Sequence, residues 1–190
     1  LLTLTKHHLS KMPTKEDLLN HWKNSGLIKN DRLLKAFQKI KREDFVLPKY
    51  KEQAYEDIAL SIGYESTISQ PSTIRIMLQA LELKPNLKVL EIGTGSGYTA
   101  ALMSKIIWKK RYIFSIDIIP ELVRFAKENL KKENIKNVKL FCRNGKKGLK
   151  EHAPFDRILV NAACKETPKE LIKQLKTNGI LVAPIGQEHH

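Results

Sequence analysis

Val89-Leu90-Glu91-Ile92-Gly93-Thr94-Gly95-Ser96-Gly97-Tyr98 is the stretch that decides the fold. Apolar side chains around Glu91 read as a short strand, three glycines at alternate positions read as a turn, and an apolar-rich helix opens at Tyr98. Glycine accepts positive φ and lets a ligand come close to the backbone. Strand, glycine turn and helix in this order form a nucleotide-binding unit of open parallel sheets, with the ligand at the helix N-terminus. The bland alternative is a glycine turn that serves chain reversal alone.

Downstream, short apolar strands alternate with amphipathic helices. Strands are expected at Lys88–Ile92, Tyr112–Ile116, Val138–Cys142, Arg157–Val160 and Ile180–Ala183, and helices at Tyr98–Ile107, Glu121–Lys132 after Pro120, and Lys169–Lys176. Such alternation predicts an α/β fold with a doubly wound, mostly parallel sheet covered on both faces. Upstream, Ile74, Met77, Leu78 and Leu81 mark a helix over Thr73–Leu83. Leu18, Leu19, Trp22, Leu27, Leu33, Leu34, Phe37 and Ile40 mark two more, parted by Ser25-Gly26 and by Asn30-Asp31, with Asp31 as N-cap. Between them Arg42 to Pro71 shows no sustained period and reads as a long irregular segment, of the kind that often carries function. The expected division is an N-terminal helical extension with a substrate and cofactor loop (1–72), a core (73–187) and a tag remnant, Glu188-His189-His190.

A chain of 190 residues fits one domain, and 42% hydrophobic with 28% charged residues excludes disordered and membrane classes. No apolar run approaches the roughly 20 residues that span a bilayer, so no membrane partner is expected. Two cysteines, Cys142 and Cys164, make neither a disulfide framework nor a zinc site; a reducing, cytoplasmic setting and no metal follow as expectations. The formal charge of +14 would suit an anionic partner. The bland reading is solvated charge, since Lys109-Lys110-Arg111, Lys131-Lys132 and Lys146-Lys147 fall at helix ends and loops.

Two cofactors compete for the glycine turn, because Gly95-x-Gly97-x-x-Ala100 is part of the dinucleotide pattern. Glu91 tilts the choice: a carboxylate there repels a pyrophosphate but suits the ammonium of a methionine moiety. Asp117, ending the strand Phe114-Ser115-Ile116-Asp117, can accept from both ribose hydroxyls of either ligand. A dehydrogenase would also need a substrate domain, for which the residues after Asp117 leave no room. The expectation is S-adenosyl-L-methionine, with S-adenosyl-L-homocysteine as product, on a Rossmann-like methyltransferase fold.

With the irregular segment in view, the chain resembles the protein-L-isoaspartate O-methyltransferases over essentially Leu18 to Gly186. The likeness lies in Arg42-Glu43-Asp44-Phe45-Val46, Ala54-Tyr55-Glu56-Asp57, Ile62-Gly63-Tyr64, Thr67-Ile68-Ser69-Gln70-Pro71, the glycine turn, Ala153-Pro154-Phe155-Asp156, and Gln174-Leu175-Lys176 followed by Gly179. The resemblance implies methyl-esterification of the stray α-carboxylate of L-isoaspartyl residues in damaged proteins and peptides, a repair reaction; separately, a monomer is expected. It implies that Ser69 orients the substrate carboxylate. It also places Ser66, Thr67, Ile68, Ser69, Glu91, Gly93, Gly95, Gly97, Asp117, Asn144 and Gly145 at the cofactor. The bland reading of Ser69 is a cap for the helix that follows. A carboxylate with a pKa of about 3.9 is already ionised at neutral pH, so such a transfer needs alignment rather than a general base.

Three departures stand out: Glu65-Ser66 where the family usually has Gly-Gln, Arg143-Asn144-Gly145 for Gly-Asp-Gly, and an end near Gly186 where the family continues into an antiparallel hairpin. That hairpin is therefore expected to be missing, with the last strand as an open edge. Two rival functions are a catalytically silent cofactor-binding relative and an RNA or DNA methyltransferase. The second is disfavoured, because Asn161-Ala162-Ala163-Cys164 lacks both the Asn/Asp-Pro-Pro-aromatic motif and a Pro-Cys nucleophile.

Overall fold

The computed structural model describes residues 12–107, 111–162 and 164–186. Lys109 and Lys110 of the basic run, Ala163 and the Glu188-His189-His190 segment lie outside the described residues.

Among the described residues the elements are α1 (Lys15–Asn24), α2 (Asp31–Lys39), β1 (Leu60–Gly63), β2 (Ser66–Ile68), α3 (Pro71–Ala80), β3 (Val89–Ile92), α4 (Tyr98–Ile107), β4 (Ile113–Asp117), α5 (Pro120–Lys132), β5 (Val138–Cys142), β6 (Phe155–Val160), α6 (Lys169–Ile172) and β7 (Leu175–Val182). Strands β3 to β7 make one parallel sheet in the order β5-β4-β3-β6-β7. The chain winds outward from β3 to β5, returns to β6 and winds outward the other way. This reversal opens a crevice beyond the carboxyl ends of β3 and β6, where ligands of such sheets bind.

Strand register explains the two cores. Val89, Ile113 and Leu159 point to one face, which they share with α1 to α5 through Trp22, Phe37, Ile74, Leu102 and Leu130. Leu90, Ile92, Phe114, Ile116, Ile158 and Val160 point to the other, under Leu149, Phe155 and Leu171. Helix α4 is buried nearly all round, as its run Tyr98-Thr99-Ala100-Ala101-Leu102-Met103 foretells. The N-terminal helices join this core rather than standing apart, and α1 starts on a reciprocal capping box of Thr14 and Asp17.

Several expectations are corrected. Arg42 to Pro71 is not wholly irregular: β1 and β2 pair antiparallel, joined by Tyr64-Glu65, both at φ +54°. Positive φ at both central residues is the geometry of a tight hairpin turn, usually signalled by Asn-Gly, and that signal is absent here. Asn30, not Asp31, caps α2, its side chain accepting from the backbone N–H of Arg32 and Leu33. The expected Lys169–Lys176 helix ends at Ile172, and the last strand starts at Leu175 rather than Ile180, entering through an irregularity in its pairing with β6. Among the described residues, β6 is the one strand paired with β7 in the sheet.

Candidate active site

The glycine turn sits at the carboxyl end of β3, in the crevice. Gly93, Gly95 and Gly97 all have positive φ. At Gly97 (φ +85°) a Cβ would stand 3.2 Å from the Cβ of Ala126, so the glycine also lets α5 close on the turn. Asp117, ending the adjacent β4, is nearly buried; its Oδ2 accepts from the Gly95 N–H at 2.9 Å and its Oδ1 from the Ile119 N–H at 3.1 Å. Arg143 N–H donates to the Asp117 carbonyl at 2.9 Å, which brings the Asn144-Gly145 turn to the same edge. A Cβ on Gly145 would come within 2.4 Å of Ile92 Cγ2, so only glycine fits there. Asn144 Oδ1 accepts from Lys146 N–H at 2.9 Å and holds that turn. Beside it lies a cavity of about 570 Å³ lined by Ile92, Gly145, Val160, Cys164, Pro168 and Leu171 among others. The lining suits an adenosyl ligand: Asp117 offers carboxylate acceptors at the strand end, Ile118 an exposed apolar side chain beside it, and Gly145 a turn without a side chain.

Glu91 does not offer an open carboxylate to that crevice, as its place in the sequence suggests it would. It is fully buried, with Oε2 accepting from Ser115 Oγ at 2.5 Å and Oε1 from Asn161 Nδ2 at 3.0 Å. Asn161 Nδ2 also donates to the Gly93 carbonyl at 2.9 Å, and Ser115 Oγ meets Thr94 Oγ1 at 2.6 Å. Glu91 thus fastens the start of the glycine turn, at Gly93 and Thr94, from below. Burial pushes its carboxyl up from the ordinary glutamate range to about 8, only partly opposed by the Ser115 and Asn161 hydrogen bonds. The folded protein holds a proton there that the unfolded chain releases above about pH 4.5, so stability falls as pH rises toward 8. Glu91→Gln copies the protonated acid, its Nε2 donating to Ser115. Its melting temperature should match the parent near pH 4, where the parent carboxyl is protonated both folded and unfolded, and exceed it by a margin that grows to roughly 3 °C or more at pH 9; a constant gap across that range would show that Glu91 is not the group responsible.

The hairpin lies over the glycine turn: a Cβ on Gly95 would stand 3.3 Å from Ile62 Cδ1 of β1. In β2, Ser66 Oγ is spent inside the hairpin, donating to the Tyr64 carbonyl at 3.2 Å; Thr67 is exposed and Ile68 is buried. Ser69 follows, half-buried. It does not cap α3, because Asp57 Oδ1 takes the Ser72 N–H at 2.8 Å. Among the described residues its hydroxyl has no protein partner, which leaves it for a ligand.

Arg42, Asn129 and Asn161 complete the site and were not singled out from sequence as site residues. Asn129 Nδ2, on α5, donates to the Ser96 carbonyl at 3.0 Å and pins the middle of the glycine turn. Fully buried Arg42 donates through Nε to the Ala54 carbonyl at 2.7 Å and through Nη2 to the Ser69 carbonyl at 2.9 Å, with its guanidinium 5.3 Å from the Tyr98 ring centroid. Tyr55, whose hydroxyl donates to Glu43 Oε2, accepts from the Arg42 N–H at 3.2 Å; burial and that glutamate push its phenol far above the usual range. Arg42 leaves no local signal of its burial, because Lys39, Lys41, Glu43 and Asp44 surround it in sequence with what reads as ordinary surface charge.

Compared with known proteins, residues 13–190 match the family described as protein-L-isoaspartate(D-aspartate) O-methyltransferase. The chain belongs to this family. A protein-L-isoaspartate O-methyltransferase of Pyrobaculum islandicum is 43% identical over 171 residues, covering 90% of this chain and 83% of the relative. One of Fervidobacterium nodosum is 46% identical over 158 residues, covering 83% and 79%. The crystal structure of a Plasmodium falciparum protein carrying the same family name, in complex with S-adenosyl-L-homocysteine, superposes with a TM-score of 0.81 at 29% identity, over 93% of this chain and 86% of that one. The methyltransferase fold expected from the glycine turn is therefore shown. Among the described residues no helix is long and apolar enough to cross a membrane, and no group of metal-ligating side chains is found.

Proposed function

We infer that the chain transfers the methyl group of S-adenosyl-L-methionine to the free α-carboxylate of L-isoaspartyl residues in damaged proteins. The observation that carries this reading is the reach of the family match. Spanning residues 13–190, it takes in the hairpin and the Thr67-Ile68-Ser69 loop as well as the glycine turn that methyltransferases share more widely. When bound, the cofactor supplies an electrophilic methyl on a sulfonium.

The chain's own residues bind and align. Asp117 accepts from the ribose hydroxyls, and Gly93, Gly95 and Gly97 let the ligand approach the backbone. Asn144 and Gly145, beside Ile118, form the adenine end. Glu91 acts from beneath by setting the turn. Thr67 and Ile68 bring Ser69 over the crevice, and the Ser69 hydroxyl donates to one oxygen of the incoming carboxylate, leaving the other to attack. No base is called for. All these groups come from one chain, so a monomer suffices, and the free thiols Cys142 and Cys164 suit the cytoplasm.

The test is methyl transfer to a synthetic isoaspartyl peptide, with the aspartyl peptide as control. Base-labile labelling of the isoaspartyl peptide alone is expected. Ser69→Ala should lower kcat/KM roughly twentyfold, the usual worth of one hydrogen bond to a charged group. Labelling of both peptides alike, or of neither despite cofactor binding, would refute the assignment.

A further inference from the structure

Arg42 carries a charge that, among the described residues, no carboxylate contacts directly. Its side chain is fully buried, Nε and Nη2 are spent on two neutral carbonyls, and Nη1 is buried without a hydrogen-bond partner. Its neighbours are the Tyr98 ring, the Tyr55 hydroxyl and Ser69, and the Asp57 carboxylate acts on it only from beyond ion-pair distance. Burial draws its pKa down, yet a guanidinium stays protonated at neutral pH. An unpaired buried cation is costly, and a neutral side chain of similar length would pack against Tyr98 at less cost. For stability alone this choice of residue is poor.

Its position supplies the reason. Arg42 joins the two halves of the site: it grips Ser69 at the end of the hairpin loop and stacks on Tyr98, the first residue after the glycine turn. We propose that Arg42 is a positioning and specificity-determining residue, which fixes the Ser69 loop and supplies the positive potential that selects a carboxylate over a neutral acceptor. This rests on Ser69 being the substrate contact. A carboxylate arriving at Ser69 provides a closer counter-charge than Asp57 does, in a site of low dielectric where the attraction is weakly screened. A neutral group of the same shape would gain nothing from it.

The experiment compares inhibition by two peptides in the intact protein: the isoaspartyl peptide, and the same peptide with that carboxylate capped as its primary amide. The parent should prefer the acid more than tenfold. In Arg42→Met the preference should fall to within about twofold, while affinity for S-adenosyl-L-homocysteine changes less than threefold. Arg42→Lys keeps the charge but not both carbonyl bonds. It should weaken both peptides and retain the preference, and it serves as the test should the methionine variant fail to fold. Equal weakening of acid and amide in Arg42→Met, or a preference lost in Arg42→Lys, would overturn the proposal. Ser69→Ala run alongside separates the two readings: unchanged turnover there would remove the role of Ser69, whereas the acid-to-amide ratio reports on Arg42.

Discussion

Replacing Asp117 with Ala is expected to weaken binding of S-adenosyl-L-homocysteine a hundredfold or more, on the order of 3 kcal/mol for two lost hydrogen bonds to a charged acceptor. The carboxylate has acceptor sites to spare: Gly95 and Ile119 each use one, and an ionised carboxylate offers about four. It therefore shapes the turn and grips the ligand at once. Because Gly95 N–H loses its partner in the variant, the turn loosens before any ligand arrives, which adds to the loss. Asp117→Asn keeps one acceptor oxygen and should fall between parent and Ala. Calorimetric titration measures all three. An Ala variant within threefold of the parent would mean that the ribose is held elsewhere.

What sequence makes legible here is what local periodicity and turn chemistry encode. The order of strands and helices from Val89 to Val160 follows the alternation of apolar residues with almost no shift at the ends. The glycine turn and Asp117 could be placed because strand ends and positive-φ turns carry strong residue preferences. The hairpin was hidden because its turn is Tyr64-Glu65, residues that seldom adopt positive φ, held there by the pairing of Leu60 with Ile68 and Ser61 with Thr67. The end of α6 was misjudged because the Lys169–Lys176 pattern continues past the point where Gln174 turns inward. There Gln174 Oε1 accepts from Leu149 N–H and its Nε2 donates to the Lys147 carbonyl, so tertiary bonding overrides a helical repeat. Glu91 shows the limit most clearly. Its position on the strand was readable, but whether its carboxylate faces ligand or core depends on Ser115 and Asn161, which lie 24 and 70 residues away. Contacts of that range leave no local trace.

Gly97→Val is the second large effect, and it separates two roles that one glycine combines. The residue sits at φ +85°, where a side chain costs roughly 1–2 kcal/mol and a β-branched one more. Any Cβ there also meets Ala126 Cβ at 3.2 Å and Leu130 Cγ at 3.4 Å, both on α5, so the helix must move off the turn; such overpacking costs about 1–3 kcal/mol. Together these should lower the melting temperature by roughly 10 °C. Because Asn129 on the same helix holds the Ser96 carbonyl, moving α5 also drags the turn, and cofactor affinity should drop with stability. Gly26→Ala is the control: Gly26 has φ +65° and nothing within 4 Å of a built Cβ, so it isolates backbone strain and should cost only a few degrees with no change in ligand affinity. Thermal unfolding with and without S-adenosyl-L-homocysteine reads both quantities. If Gly97→Val lost no more stability than Gly26→Ala, α5 would not depend on the bare backbone at Gly97, and the link from helix packing to the cofactor turn would have to be abandoned.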